Sequence, residues 1–220
     1  MIERNIATTT HGRYLVLPAS TPASAGLLVG FHGYAEGAES QLERLRAIPG
    51  SDRWTLVSVQ GLHRFYQRRT NEVIASWMTR QDRELAIADN LAYVEAVVDA
   101  LAREMGREPA RLVFAAFSQG VAMGFRAATA TTRRVNGVIA VGGDVPPEID
   151  AAALAGAQNA LVCRGTSDEW DTDAKFQNDI TRLRQSGVTV HAVTFEGGHE
   201  WSDAVLQNAA TFLQALEGSG

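Results

Sequence analysis

The chain has 220 residues, 45% of them hydrophobic and 20% charged, with a formal charge of −5 at neutral pH. That length supports a full hydrophobic core and makes one domain the default, and the composition excludes a disordered or low-complexity chain. The negative charge gives no general attraction to nucleic acid or anionic membranes. The start from Met1 to Ile6 lacks a signal-peptide pattern and no apolar run reaches about 18 residues, so no stable membrane insertion and a cytoplasmic location are expected.

Short apolar, β-branched runs alternate with segments of helical periodicity. Arg13 to Leu17 is the first strand, and Pro18 to Ser24 carries turn chemistry. Gly26 to Phe31 is a near-continuous apolar run suited to a strand buried on both faces, ending at His32-Gly33. A helix from Ser40 to Ile48 stops before Pro49-Gly50, and Thr55 to Val59 is the next strand. Gly61 to Ser76 reads as a long excursion, and its basic, aromatic stretch His63 to Arg69 as a solvated loop in preference to a contact for an anionic substrate group or a partner. Leu85, Ile87, Leu91, Val94, Val97, Val98 and Leu101 recur at helical spacing between Asp82 and Met105, an amphipathic crossover helix.

Arg111 to Phe117 is a strand running straight into Ser118-Gln119-Gly120 and a small-residue helix, Val121 to Ala130. Strands follow at Gly137 to Val141, Ala160 to Cys163 and Val188 to Thr194, with helices at Thr172 to Gln185 and Ser202 to Leu216. This order predicts a single α/β domain over 1–217, built on a mostly parallel sheet with helices on both faces. Gly218, Ser219 and Gly220 read as a frayed or expression-derived tail. Cys163 is the only cysteine, so no intrachain disulfide or multi-thiolate metal site is expected, and its place in a strand points to packing.

A serine becomes a nucleophile when a fold holds it beside a base and exposes it to a carbonyl carbon. The α/β-hydrolase elbow does both with G-x-S-x-G on a sharp strand-to-helix turn. Here the five residues are Ala116-Phe117-Ser118-Gln119-Gly120, with alanine replacing the first glycine. In that fold an acid and then a histidine follow on loops after later strands. Asp168 ends Arg164-Gly165-Thr166-Ser167-Asp168 and His199 ends Phe195-Glu196-Gly197-Gly198-His199. Glu169, Asp171 and Asp173 compete for the acid, and Asp168 is preferred because it directly follows the strand-and-glycine turn. His11, His63 and His191 do not follow the right strand.

Acyl transfer also needs backbone N–H groups aimed at the developing oxyanion. Gln119 N–H at the start of the elbow helix is one candidate. Tyr34 N–H, in the loop Phe31 to Gly37, is the other, with His32 expected to hold that loop. No metal-ligand spacing, phosphate loop or dinucleotide fingerprint is present, so no metal and no cofactor are implied.

His32-Gly33-Tyr34, Ser76-Trp77-Met78, Phe117-Ser118-Gln119-Gly120, Gly165-Thr166-Ser167-Asp168 and Gly197-Gly198-His199 together resemble the small phospholipase/carboxylesterase family of α/β-hydrolases, which includes the acyl-protein thioesterases. The resemblance spans nearly the whole chain in order. It implies a lidless, metal-independent serine esterase of short to medium acyl esters, thioesters or lysophospholipids, with Ser118, Asp168 and His199 as its triad. Ala116 departs from the family pattern. So does Glu169-Trp170-Asp171, where proline and apolar residues are usual, and this affects the expected substrate preference.

Trp77, Met78 and Trp170 are candidates to line a substrate pocket, with ordinary core packing the equal alternative. The expected partner is a small-molecule ester, and the expected state a monomer or homodimer. Activity should rise with pH as the histidine loses its proton, since only the neutral ring acts as a base. Two other readings stay open. One is a peptidase or other hydrolase on the same fold, a dienelactone-type enzyme being disfavoured because it uses cysteine at the elbow. The other is a non-catalytic protein that binds a small ligand.

Overall fold

The computed structural model describes residues 1–21 and 26–218. The turn expected over Pro18 to Ser24 lies partly outside the described residues, as do Ser219 and Gly220 of the expected tail. Seven strands form one sheet: β1 (Arg13–Leu17), β2 (Leu27–Phe31), β3 (Thr55–Gln60), then β6 (Leu112–Phe117), β7 (Gly137–Val141), β8 (Asn159–Gly165) and β9 (Thr189–Phe195). Their order is β1-β3-β2-β6-β7-β8-β9. Only β1 runs antiparallel, against β3; every other pairing is parallel.

Parallel strands need covered faces, and the period-2 alternation of β2 shows how both are covered. Leu27, Val29 and Phe31 pack with Val94, Val97 and Val98 of α2 (Arg83–Met105) and with α3 (Gln119–Ala130) and α5 (Asp173–Gln185). Leu28 faces the other way, with Leu45 of α1 (Ala38–Ala47) and Phe212 of α6 (Asp203–Gly218). Cys163 belongs to this second layer, fully buried, and burial pushes its thiol up to about 12, which suits packing and not reactivity. A short α4 (Ala151–Leu154) precedes β8.

The helices stop where sequence chemistry stops them. Gly106 adopts φ +65° after α2, a left-handed conformation that releases the chain without a Cβ penalty. α6 continues to Gly218, so the first residue of the expected tail is helical.

The excursion Gly61 to Ser76 is a two-stranded hairpin, β4 (His63–Tyr66) and β5 (Val73–Ser76), and not an irregular loop. All four residues of β4 are exposed, so the hairpin has no buried face there to imprint alternation on the sequence. An antiparallel bridge between Glu36 and Ala75 ties it to the loop after β2.

The chain leaves β2 toward β3 on one side and returns to β6 on the other. The carboxyl ends of β2 and β6 therefore flank a topological switch point, where open α/β sheets place their ligand crevice.

Candidate active site

At the end of β6 the backbone turns sharply at Ser118, with φ +53° and ψ −122°. A non-glycine residue there carries strain of roughly 1–3 kcal/mol, sustained only if its surroundings fix it. Ser118 N–H donates to Val141 O at 2.9 Å, and Val121 N–H returns to Ser118 O at 2.9 Å. A Cβ on Gly120 would lie 2.4 Å from Phe31 O and 2.6 Å from His32 O, so glycine lets the helix pass this close to β2. The alanine at 116 is accommodated opposite: a Cβ on Gly124 would sit 3.2 Å from Ala116 Cβ. A second glycine one turn into the helix thus makes room for the methyl that the elbow pattern lacks.

His199 and Asp168 come to this serine from the loops after β9 and β8. His199 Nε2 is 2.8 Å from Ser118 Oγ, and His199 Nδ1 is 2.8 Å from Asp168 Oδ2. Asp168 Oδ1 accepts Trp170 N–H at 2.9 Å and Asp171 N–H at 3.0 Å, leaving Oδ2 for the ring. Burial opposes ionisation of Asp168, but the Asp171 N–H, the His199 ring and the Trp170 N–H outweigh it and hold the carboxyl below its usual range. An ionised Asp168 makes Nδ1 the donor, so Nε2 presents a lone pair that accepts the Ser118 hydroxyl proton. Among the described residues Glu169 and Asp173 make no hydrogen bond to His199, and Asp171 supplies a backbone N–H to Asp168.

Across the switch point, His32 is fully buried at the end of β2. Its Nδ1–H donates to Gly33 O at 2.7 Å, and its Nε2 accepts Gly61 N–H at 3.0 Å. Burial lowers its pKa, against the opposing effect of the Gly33 bond, which suits this neutral tautomer. In a trans peptide the carbonyl and the next N–H point oppositely, so anchoring Gly33 O on His32 turns Tyr34 N–H away from that histidine. Gly33 N–H is taken by Glu36 Oε2 at 2.8 Å and Ala35 N–H by Ala75 O at 3.0 Å. Tyr34 N–H and Gln119 N–H have no partner among the described residues.

The amide of Gln119 is clamped to the segment after β5. Its Oε1 accepts Trp77 N–H at 3.0 Å and the Ser76 hydroxyl at 3.2 Å, and its Nε2 donates to Met78 O at 3.1 Å. Trp77 is not a pocket wall: it has no exposed surface, stacks on His32 at 5.0 Å, and donates its indole N–H to His32 O at 2.8 Å. Met78 is half-buried against the core beside α2 and α3. Trp170 is 76% exposed beside the acid loop, its carbonyl held by Lys175 Nζ at 3.0 Å. His63 is exposed on β4 and His191 packs edge-on to Phe212, so neither joins the relay.

Sequence reasoning did not single out Asn90, Glu36 or Arg44. Asn90 is buried in α2 and joins Trp77 O to Leu62 N–H, at 2.9 and 3.2 Å. Its signal was a polar residue in the Ala86, Val94, Val97, Leu101 stripe of an otherwise apolar helix face.

Asp171 is 3% exposed, and its carboxyl is pushed up to about 7 by burial and by Asp144 and Asp168, against the partly offsetting Arg164. The folded chain therefore holds a proton that the unfolded chain, with a carboxyl pKa of about 3.9, has already lost. Stability from this group is present below about pH 4 and is lost as pH rises through about 7. Asp171→Asn should melt a few degrees above wild type at pH 8 and at the same temperature at pH 4, as read by calorimetry at the two pH values.

The family model for phospholipase/carboxylesterase matches residues 14–217. The chain belongs to the phospholipase/carboxylesterase family. Solved structures similar to this family member include esterase PE8, with TM-score 0.75 and 21% identity over 94% of this chain and 100% of that one. A Bacillus cereus carboxylesterase aligns with TM-score 0.75 and 13% identity over 93% and 94% of the two chains. Zea mays acyl-protein thioesterase 2 aligns with TM-score 0.72 and 17% identity over 94% and 99%. At these identities the structures show a shared fold. No curated protein sequence matches the chain. Among the described residues, no cluster of three His, Cys, Asp or Glu side chains is placed to hold a metal ion, and no helix is long and apolar enough to cross a membrane.

Proposed function

We propose that this family member is a serine carboxylesterase that hydrolyses short to medium acyl esters of small molecules through an acyl-enzyme. The observation that carries the reading is the relay Ser118–His199–Asp168, with 2.8 Å at each link, on a strained elbow beside two unclaimed N–H groups. Ser118 Oγ attacks the ester carbonyl while His199 Nε2 takes its proton, and Asp168 orients the ring and stabilises the imidazolium. Tyr34 N–H and Gln119 N–H receive the negative charge that develops on the carbonyl oxygen. His199 then returns the proton to the leaving alcohol, and water activated by the same ring releases the acid.

Exposed aromatic side chains stand on both sides of this edge of the sheet: Tyr34, in the loop after β2, with Phe65 against it, and Trp170, in the loop after β8. Tyr34 and Phe65 lean together at 5.9 Å. An open apolar rim of this kind suits acyl esters, thioesters or lysophospholipids better than a peptide backbone, which needs paired polar contacts.

The test compares p-nitrophenyl acetate, butyrate and octanoate with aminoacyl p-nitroanilides. Ester turnover with kcat/KM that varies along the acyl series, and no anilide turnover, is the expected result. Anilide turnover matching that of the esters would replace the reading with a peptidase.

A further inference from the structure

The ion pair between Glu36 and Arg44 stands outside the serine–histidine–aspartate relay, yet three parts of the site converge on it. Arg44, on α1, holds Glu36 through both guanidinium nitrogens at 2.5 and 2.6 Å, with the two side chains 20% and 23% exposed. Glu36 Oε2 also receives Gly33 N–H at 2.8 Å, so the pair grips the loop that presents Tyr34 N–H. The guanidinium carbon of Arg44 lies over the Phe117 ring, 4.3 Å from its centroid. Phe117 directly precedes Ser118 and packs against the His199 ring at 4.9 Å.

Arg44 is itself fixed. Its Nη1 donates to Gln41 Oε1 at 3.3 Å, and the buried Gln41 donates from Nε2 to Ala115 O of β6 at 3.0 Å. A half-desolvated pair contributes little net stability, because the loss of hydration offsets most of the attraction. What this pair supplies is geometry. A guanidinium offers a two-pronged edge to a carboxylate and a planar face to an aromatic ring at once, which an ammonium cannot do.

The geometry points to Arg44 as a positioning residue that sets the oxyanion loop through Glu36 and the pitch of His199 through Phe117. This inference rests on the serine esterase reading. Arg44 reaches the reacting atoms only through those two side chains, so its removal loosens alignment for attack without removing a contact to bound ester. A misplacement near 1 Å costs on the order of 10²-fold in rate.

The experiment measures kcat and KM for p-nitrophenyl butyrate with wild type, Arg44→Ala, Arg44→Lys, Glu36→Gln and the control Arg46→Ala, together with each melting temperature. Arg46 is exposed on the same helix and, among the described residues, pairs with the exposed Glu43 alone. Arg44→Ala should lose about 10- to 100-fold in kcat with KM within about twofold. Arg44→Lys should fall between Arg44→Ala and wild type, and Arg46→Ala should match wild type. Added ethylguanidinium should restore part of the kcat of Arg44→Ala and leave Arg46→Ala unchanged.

A kcat for Arg44→Ala within about twofold of wild type overturns the inference, as does a loss shared by KM and kcat without guanidinium rescue. If Arg44→Ala does not fold, Glu36→Gln decides: it keeps an oxygen for Gly33 N–H but loses the charge that holds Arg44. A fall confined to kcat supports the inference, and a wild-type kcat overturns it. Wild type without ester turnover removes the esterase reading and this inference together, whereas an active wild type with an unaffected Arg44→Ala removes this inference alone.

Discussion

Replacing Ser118 by alanine is expected to lower ester hydrolysis by roughly 10⁴- to 10⁶-fold while leaving the far-ultraviolet spectrum and melting temperature close to wild type. The loss is large because Ser118 Oγ is the atom to which the rest of the site is aimed. His199 Nε2 stands 2.8 Å from it, and the acid behind that ring has its other oxygen filled by two backbone N–H groups. His199→Ala should match Ser118→Ala, because removing either member of a unit costs nearly as much as removing both. Asp168→Asn should lose about 10⁴-fold, since an amide leaves the ring without its orienting charge. The fold should tolerate Ser118→Ala because, among the described residues, the side chain hydrogen-bonds to His199 alone, and alanine adds no bulk to the strained turn. Activity of Ser118→Ala within tenfold of wild type would mean that another group performs the attack.

The second large effect is expected from Gly120→Ala, a single methyl placed where there is no room. Its Cβ would be 2.4 Å from Phe31 O and 2.6 Å from His32 O, both backbone atoms at the carboxyl end of β2 that cannot swing aside. Either α3 lifts away from β2 or the end of β2 shifts, and both movements separate Gln119 N–H from Tyr34 N–H. Overpacking of this kind destabilises by about 1–3 kcal/mol or more, and displacement of the proposed oxyanion donors should cost a further ~10²-fold in kcat. Gly124→Ala gives the contrast. Its Cβ would meet two side-chain atoms, the Ala116 methyl at 3.2 Å and Phe31 Cδ2 at 3.7 Å, so melting should fall less and kcat should stay nearer wild type. Thermal melts and steady-state kinetics on the two variants check this order, and equal effects at the two positions would contradict it.

Much of this site is legible in the sequence because its parts are tied to strand ends. A strand that runs into Ser118-Gln119-Gly120 has one way to turn into a helix, and residues that follow later parallel strands must arrive at the same edge of the sheet. Chain order alone therefore brings Asp168 and His199 toward Ser118. Trp77 shows the limit of that reasoning: an aromatic residue near a site reads identically whether it lines a pocket or braces the loop behind it. Only the indole bond to His32 O and its complete burial separate the two. Arg44 and Glu36 were silent for a different reason. They are charged residues eight positions apart on a loop and a helix, a spacing with no periodic signature, and tertiary packing alone brings Arg44 to Glu36 and Phe117. The hairpin from His63 to Ser76 escaped because an exposed strand has no buried face to pattern.

Intact-mass labelling of wild type, Ser118→Ala and His199→Ala with a fluorophosphonate tests most directly whether Ser118 is an activated nucleophile. One adduct on wild type, absent from both variants, is the predicted result. Labelling that persists in Ser118→Ala, or a folded wild type that takes no label, would contradict it.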